Sequence, residues 1–197
     1  MNTKKLAFII MMGALGNVLF AISYFAGPIA PGIALDFSLI AVLIAGFFAG
    51  PTAGLSTGLI AGVLPGIMFG PAGTGGWLGL IGLPLGKALT GLTAGLIAKS
   101  VNLQKPRSSL LGVPLTLLAY VPEAIFTYAY FKFLLPFFIP TQVLGDAIIA
   151  TILIKAVGEV TIMGFIIAAL LGNKGFNDFI RAFFCKPQTT PKATANT

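Results

Sequence analysis

Seven charged side chains interrupt stretches of this chain that are otherwise apolar: Asp36, Lys87, Glu123, Lys132, Asp146, Lys155 and Glu159. A charge inside a bilayer costs at least a few kcal/mol, so such residues pair, face a cavity or act on a substrate. Lys155 and Glu159 are four apart, on one face of a helix, where each can neutralise the other. Lys87 can pair in the same way with Glu123. The alternative chemistry is ligand binding. Helical spacing puts Thr127 and Tyr130 on the face of Glu123, and Thr151 on the face of Lys155. With Trp77 at the mouth these residues make an aromatic-walled pocket with a few polar anchors. The candidate substrate-binding set is therefore Trp77, Lys87, Glu123, Thr127, Tyr130, Thr151 and Lys155. Trp77 suits an interfacial anchor equally well. Lys132 is placed to snorkel to headgroups, while Asp36 and Asp146 are placed to cap helices.

No catalytic set emerges. Histidine is absent and Cys185 is the single cysteine, so Ser-His-Asp and Cys-His schemes, an intramolecular disulfide and a Cys/His metal cluster are all unavailable. No serine stands where it clearly meets Lys87 or Lys155, and no GxxxxGK[ST] phosphate loop occurs. No cofactor is expected, and an intramembrane enzyme is the weakest class. Uphill movement of a solute would draw on an ion gradient or on another subunit.

The elements that must position these residues are membrane helices. Of the 197 residues 57% are hydrophobic and only 9% charged, with a mean hydropathy of +0.99. That balance places the chain in a bilayer. Six apolar spans are expected: about 6–25, 36–49, 52–69, 77–98, 110–135 and 143–171. Gly50-Pro51 separates the second from the third, since proline favours a break there. Counting from the outer ends puts Lys87, Glu123 and Lys155 at similar, central depths. The first apolar stretch suits a spanning helix better than a signal peptide. Lys4, Lys5, Lys99, Lys105, Arg107, Lys174, Arg181, Lys186 and Lys192 all fall on one side of such an arrangement. The loops at 26–35, 70–76 and 136–142 hold no Lys or Arg. By the positive-inside rule both termini are cytoplasmic. The net charge of +7 is thus a matter of orientation and not of nucleic-acid binding. The expected fold is an all-α integral membrane protein, with one domain over 1–175 and a basic tail over 176–197 that reads as disordered.

Glycine recurs at every fourth position from Gly46 through Gly50, Gly54, Gly58, Gly62 and Gly66 to Gly70. Stacked nearly above one another, these residues make a smooth stripe that lets another helix approach closely. Tight packing within the bundle and a surface for a partner are the two readings of it.

The basic-flanked first span KKLAFIIMMGALGNVLF and, above all, LDFSLIAVLIAGFFAGPTAGLSTGLIAG carry a family likeness. Here the chain resembles the substrate-binding S components of energy-coupling factor (ECF) transporters, its riboflavin-type members in particular. The resemblance implies a prokaryotic cell-membrane subunit that captures a vitamin or cofactor precursor in its outer half. The loop from Gly27 to Ala34 would be the lid. Such a subunit is expected to topple when docked on a transmembrane coupling subunit driven by two ATPases. Family members dock through small residues of span one, typically Ala-x-x-x-Ala. That motif is absent here, and Gly13, Ala14, Gly16 and Asn17 are the small or polar residues available. The alternative expectation is a self-sufficient permease or channel that uses the midplane Lys and Glu residues as a pathway.

Overall fold

The computed structural model describes residues 3–30, 33–34, 36–73, 75–101, 110–139 and 146–184. Where no water reaches the backbone, a chain can satisfy its own N–H and C=O groups locally only as a helix. The apolar stretches accordingly become α1 (Thr3–Phe25), α2 (Leu39–Ala49), α3 (Pro51–Ala61), α4 (Val63–Phe69) and α5 (Gly76–Val101). After them come α6 (Gly112–Ala129), α7 (Leu135–Phe138), α8 (Asp146–Gly172) and α9 (Lys174–Phe184). A π-helical turn, Tyr130–Leu134, joins α6 to α7, so the helical backbone is unbroken from 112 to 138. Among the described residues the exception to helix is a short antiparallel hairpin, β1 (Pro28–Ala30) and β2 (Ile33–Ala34), within the loop expected to act as a lid.

Among the described residues four segments are long and apolar enough to cross a membrane: Thr3–Phe25, Pro51–Phe69, Gly76–Val101 and Asp146–Gly172. Leu39–Ala49 is a shorter apolar helix. Large apolar side chains such as Met11, Val18, Ile81, Ile125, Ile154 and Phe165 stand exposed on the outer faces, as a membrane-embedded protein requires.

The turn between α2 and α3 falls at Gly50, whose φ of +91° few side chains tolerate, with Pro51 opening α3. The glycine stripe that continues from there is filled by α5. A Cβ at Gly54 would lie 2.1 Å from the Gly91 carbonyl oxygen, and one at Gly58 would lie 2.5 Å from that of Lys87. Lower down α3 and α4, Gly62 meets Pro84 and Gly66 meets Leu80. Backbone therefore touches backbone along α3 and α5. The core proper lies beside this seam, where Leu39, Val42, Leu43 and Phe47 of α2 pack with Tyr120 of α6 and Val160, Met163 and Ile167 of α8.

Helix α1 is held on α3 and α4 by Asn17. Its amide nitrogen donates to Gly13 O (3.1 Å) and Ile60 O (2.8 Å), and its oxygen accepts from Leu64 N–H (2.9 Å). The opening of the 176–197 tail departs from the expected disorder: Lys174–Phe184 is helical. The reason is amphipathic packing. Phe176 stacks edge-on against Phe48 at 5.0 Å, and Phe184 against Phe8 at 5.2 Å. Asn173 starts the helix by accepting the Phe176 N–H (2.9 Å). Lys105, Arg107, Cys185, Lys186 and Lys192 lie outside the described residues.

Candidate functional site

Five of the seven intramembrane charges meet at one place. The segment entering α2 supplies Asp36, α5 supplies Lys87, α6 supplies Glu123, and α8 supplies Lys155 and Glu159. Asp36 sits in a tight local turn, its Oδ1 accepting both the backbone N–H (2.9 Å) and the hydroxyl (2.6 Å) of Ser38. That leaves Oδ2 for Lys87, whose Nζ lies 2.5 Å away. Lys87 is only 2% exposed. An ion pair this deep is poor evidence of stability, yet removing one partner costs about 3–5 kcal/mol because the other is stranded.

Glu159 ties the same segment to α8. Its Oε1 accepts the Asp36 backbone N–H (2.8 Å), and its Oε2 pairs with Lys155 (3.1 Å). The pairing of Lys155 with Glu159 follows from their i, i+4 spacing. Lys87 instead takes Asp36 and not Glu123. Glu123, 9% exposed, receives a short hydrogen bond from the Thr90 hydroxyl on Oε2. It lies within the electrostatic reach of Lys87 and Asp36, but among the described residues no cation is paired with it.

Helices α5 and α6 also frame a small cleft. It has room for about 30 Å³ and is lined by Gly82, Leu83, Phe126, Thr127, Tyr130 and Phe131. That is far below the ~300–1,000 Å³ of typical small-molecule sites. Gly82 makes room for Tyr130, since a Cβ there would lie 2.5 Å from the ring. Tyr130 begins the π-helical turn, a local distortion found often at functional sites. It is 7% exposed, and among the described residues its hydroxyl has no hydrogen-bond partner.

No family model, curated protein or solved structure matches this chain.

Of the seven candidate binding residues, Lys87, Glu123 and Lys155 thus belong to the charged centre, and Thr127 and Tyr130 line the adjoining cleft. Trp77 is 77% exposed at the start of α5. Thr151 is exposed and donates to its own helix at Ala147 O (2.8 Å). Neither joins the centre. Three further residues do: Glu159, which its spacing from Lys155 marks as that lysine's partner, Asp36, which position alone marks as a helix cap, and Thr90, which lies one turn from Lys87 on α5. That one-turn spacing was a signal for Thr90; no spacing links Asp36 to Lys87. The remaining pair, Lys132 with Asp146, is exposed and joins the π-helical turn to the start of α8.

On α1 the candidate docking residues point two ways. Gly13 and Gly16 are buried against Ile60 and Ala61 of α3, and Asn17 bonds inward, so α3 and α4 occupy that face. Ala14 is exposed, with Met11 and Val18 beside it.

Proposed function

We propose that this protein is the substrate-binding subunit of an ECF-type importer in a prokaryotic cytoplasmic membrane, and not an enzyme. It captures a small water-soluble vitamin or cofactor precursor, riboflavin-like or of another kind, from outside. It delivers the ligand by toppling when docked on a transmembrane coupling subunit with two ATPases. The observation that carries this reading is Asp36. Asp36, two positions beyond β2, is bonded at once to Lys87 of α5 and Glu159 of α8, so the chain leaving the β1–β2 hairpin is anchored to the polar centre. Six crossings follow if α2 and the α6–α7 helix span beside the four longer segments. Both termini are then cytoplasmic, with Lys4, Lys5, Lys99 and Lys174 at the inner surface. Docking falls to the outer face of α1 around Ala14, because the opposite face is packed.

Purification in mild detergent from a prokaryotic host, followed by mass spectrometry of what co-purifies, tests the reading. One vitamin-like molecule per chain is the expected result, with transport in liposomes only when coupling subunit and ATPases are present. Flux through the protein alone would replace this reading with the permease. Among the described residues Asp36, Lys87, Lys155 and Glu159 are bonded to one another rather than strung along a pathway, which favours the binding subunit.

A further inference from the structure

Helix α9 is made of two unlike arcs. By helical periodicity Phe176, Phe179, Ile180, Phe183 and Phe184 fall on one, and Lys174, Asn177 and Asp178 on the other. The bundle covers only part of the apolar arc. Phe176 stacks on Phe48, Ile180 packs with Phe8 and Ala45, and Phe183 and Phe184 close on Phe8. Phe179 is left at the edge. It is 63% exposed and touches Phe183, with 6.5 Å between ring centroids. Lys174 and Asp178, on the opposite arc, are exposed as well.

Where α9 lies decides what meets Phe179. Its contacts pass from Phe48 of α2, reached by Phe176, to Phe8 of α1, reached by Phe184 two turns further on. Two turns cover about 11 Å along a helix, close to the ~8–10 Å between neighbouring helices. The helix therefore runs across the end of the bundle instead of prolonging α8. Asparagines build the corner. Asn173 accepts the Phe176 N–H, and the Asn177 amide donates to Leu170 O (3.3 Å) and Leu171 O (3.0 Å), the carbonyls left open where α8 stops. The 27 residues of α8 reach about 40 Å, against a hydrocarbon core of about 30 Å. The end of α8, where α9 begins, thus stands in the polar boundary of the bilayer. From 174 onward the chain also carries Lys174, Arg181, Lys186 and Lys192 against Asp178 alone, a balance that suits the phosphates of lipid headgroups.

We infer that α9 is a membrane-surface helix. Phe179 enters the boundary between headgroups and acyl chains of a phospholipid bilayer, while Lys174 and Asp178 stay in water. The occupant of this face is lipid and not a further protein. The inference needs only that α8 spans the membrane, so it stands or falls apart from the binding-subunit reading.

The test uses the full-length protein in nanodiscs of phosphatidylcholine and phosphatidylglycerol, with Trp77→Phe removing the single tryptophan. A new tryptophan is then placed at the lipid edge, Phe179→Trp, or on the water arc, Asp178→Trp. Both positions are exposed, so neither change enters the packed core. Phosphatidylcholine brominated in the upper part of its chains should quench Phe179→Trp about twofold, the helix lying at that depth, and should leave Asp178→Trp nearly unchanged. Acrylamide in the water should do the reverse. If acrylamide quenches both variants alike, the face is open to water or kept for a protein partner, and the inference is overturned. Equal quenching of both by the brominated lipid would overturn it too, since the helix would then lie within the hydrocarbon and not on its surface.

Discussion

Thr116 of α6 is fully buried, and among the described residues its hydroxyl meets no partner. A buried, unsatisfied hydroxyl costs about 1–3 kcal/mol, and a methyl of the same shape removes that cost. Thr116→Val should therefore stabilise the protein by about 1 kcal/mol, seen as a higher midpoint of thermal unfolding in detergent. A lower midpoint would mean that the hydroxyl has an unrecognised partner. Thr90, one helix away, is the contrasting case, because its hydroxyl holds Glu123. The same contrast decides what could be read from sequence. Lys155 and Glu159 are neighbours along one helix, so their pair is written in their spacing. Lys87 and Asp36 are 51 positions apart and meet through the packing of α2 on α5, which no local pattern encodes. Position before an apolar helix identifies Asp36 as a cap, and it does bind Ser38 locally; its second oxygen is what the sequence conceals.

At the scale of elements, the seam between α3 and α5 makes a sharp demand. A methyl at Gly54 would be driven to 2.1 Å from a backbone oxygen that cannot rotate away. Gly54→Ala should thus cost about 2 kcal/mol through overpacking. Gly158→Ala is the control, since nothing lies within 4 Å of a Cβ there; helix propensity makes it neutral or mildly favourable. Equal losses in the two variants, compared by thermal unfolding, would show that the seam is looser than described. The stripe itself was legible, because a four-residue glycine period has one geometric meaning on a helix. Which surface fills it was not, as a partner and α5 leave the same mark in the chain. The break at Gly50-Pro51 was legible for a different reason: proline and a positive φ are properties of single residues. Helix α9 was not. Its eleven residues lie beside charged and proline-rich sequence, and Phe176, Ile180 and Phe184 become a helical face only when Phe8 and Phe48 receive them.

At the scale of the whole molecule, the described residues set large apolar side chains on the outside and bury Lys87, Glu123 and Glu159 within. Proposed orientation follows from the distribution of lysine and arginine, and Cys185, the single cysteine, gives a direct reading of it. In intact cells a membrane-impermeant maleimide should leave the protein unlabelled, and permeabilised cells should label it at one site. Labelling of intact cells would place the C-terminal end outside and reverse the arrangement. Contacts made early and late in the chain hold α1: Lys5 donates to Thr52 of α3, Asn17 grips α3 and α4, and Phe8 packs with Ala45 of α2 and is covered by Phe183 and Phe184 of α9. During synthesis the residues that receive Asn17 leave the ribosome early, but those that cover Phe8 are made more than a hundred residues later. The start of α1 therefore meets α2 and α3 early, through Phe8 with Ala45 and Lys5 with Thr52, and the aromatic cover that α9 lays over Phe8 is the last of these contacts to be supplied.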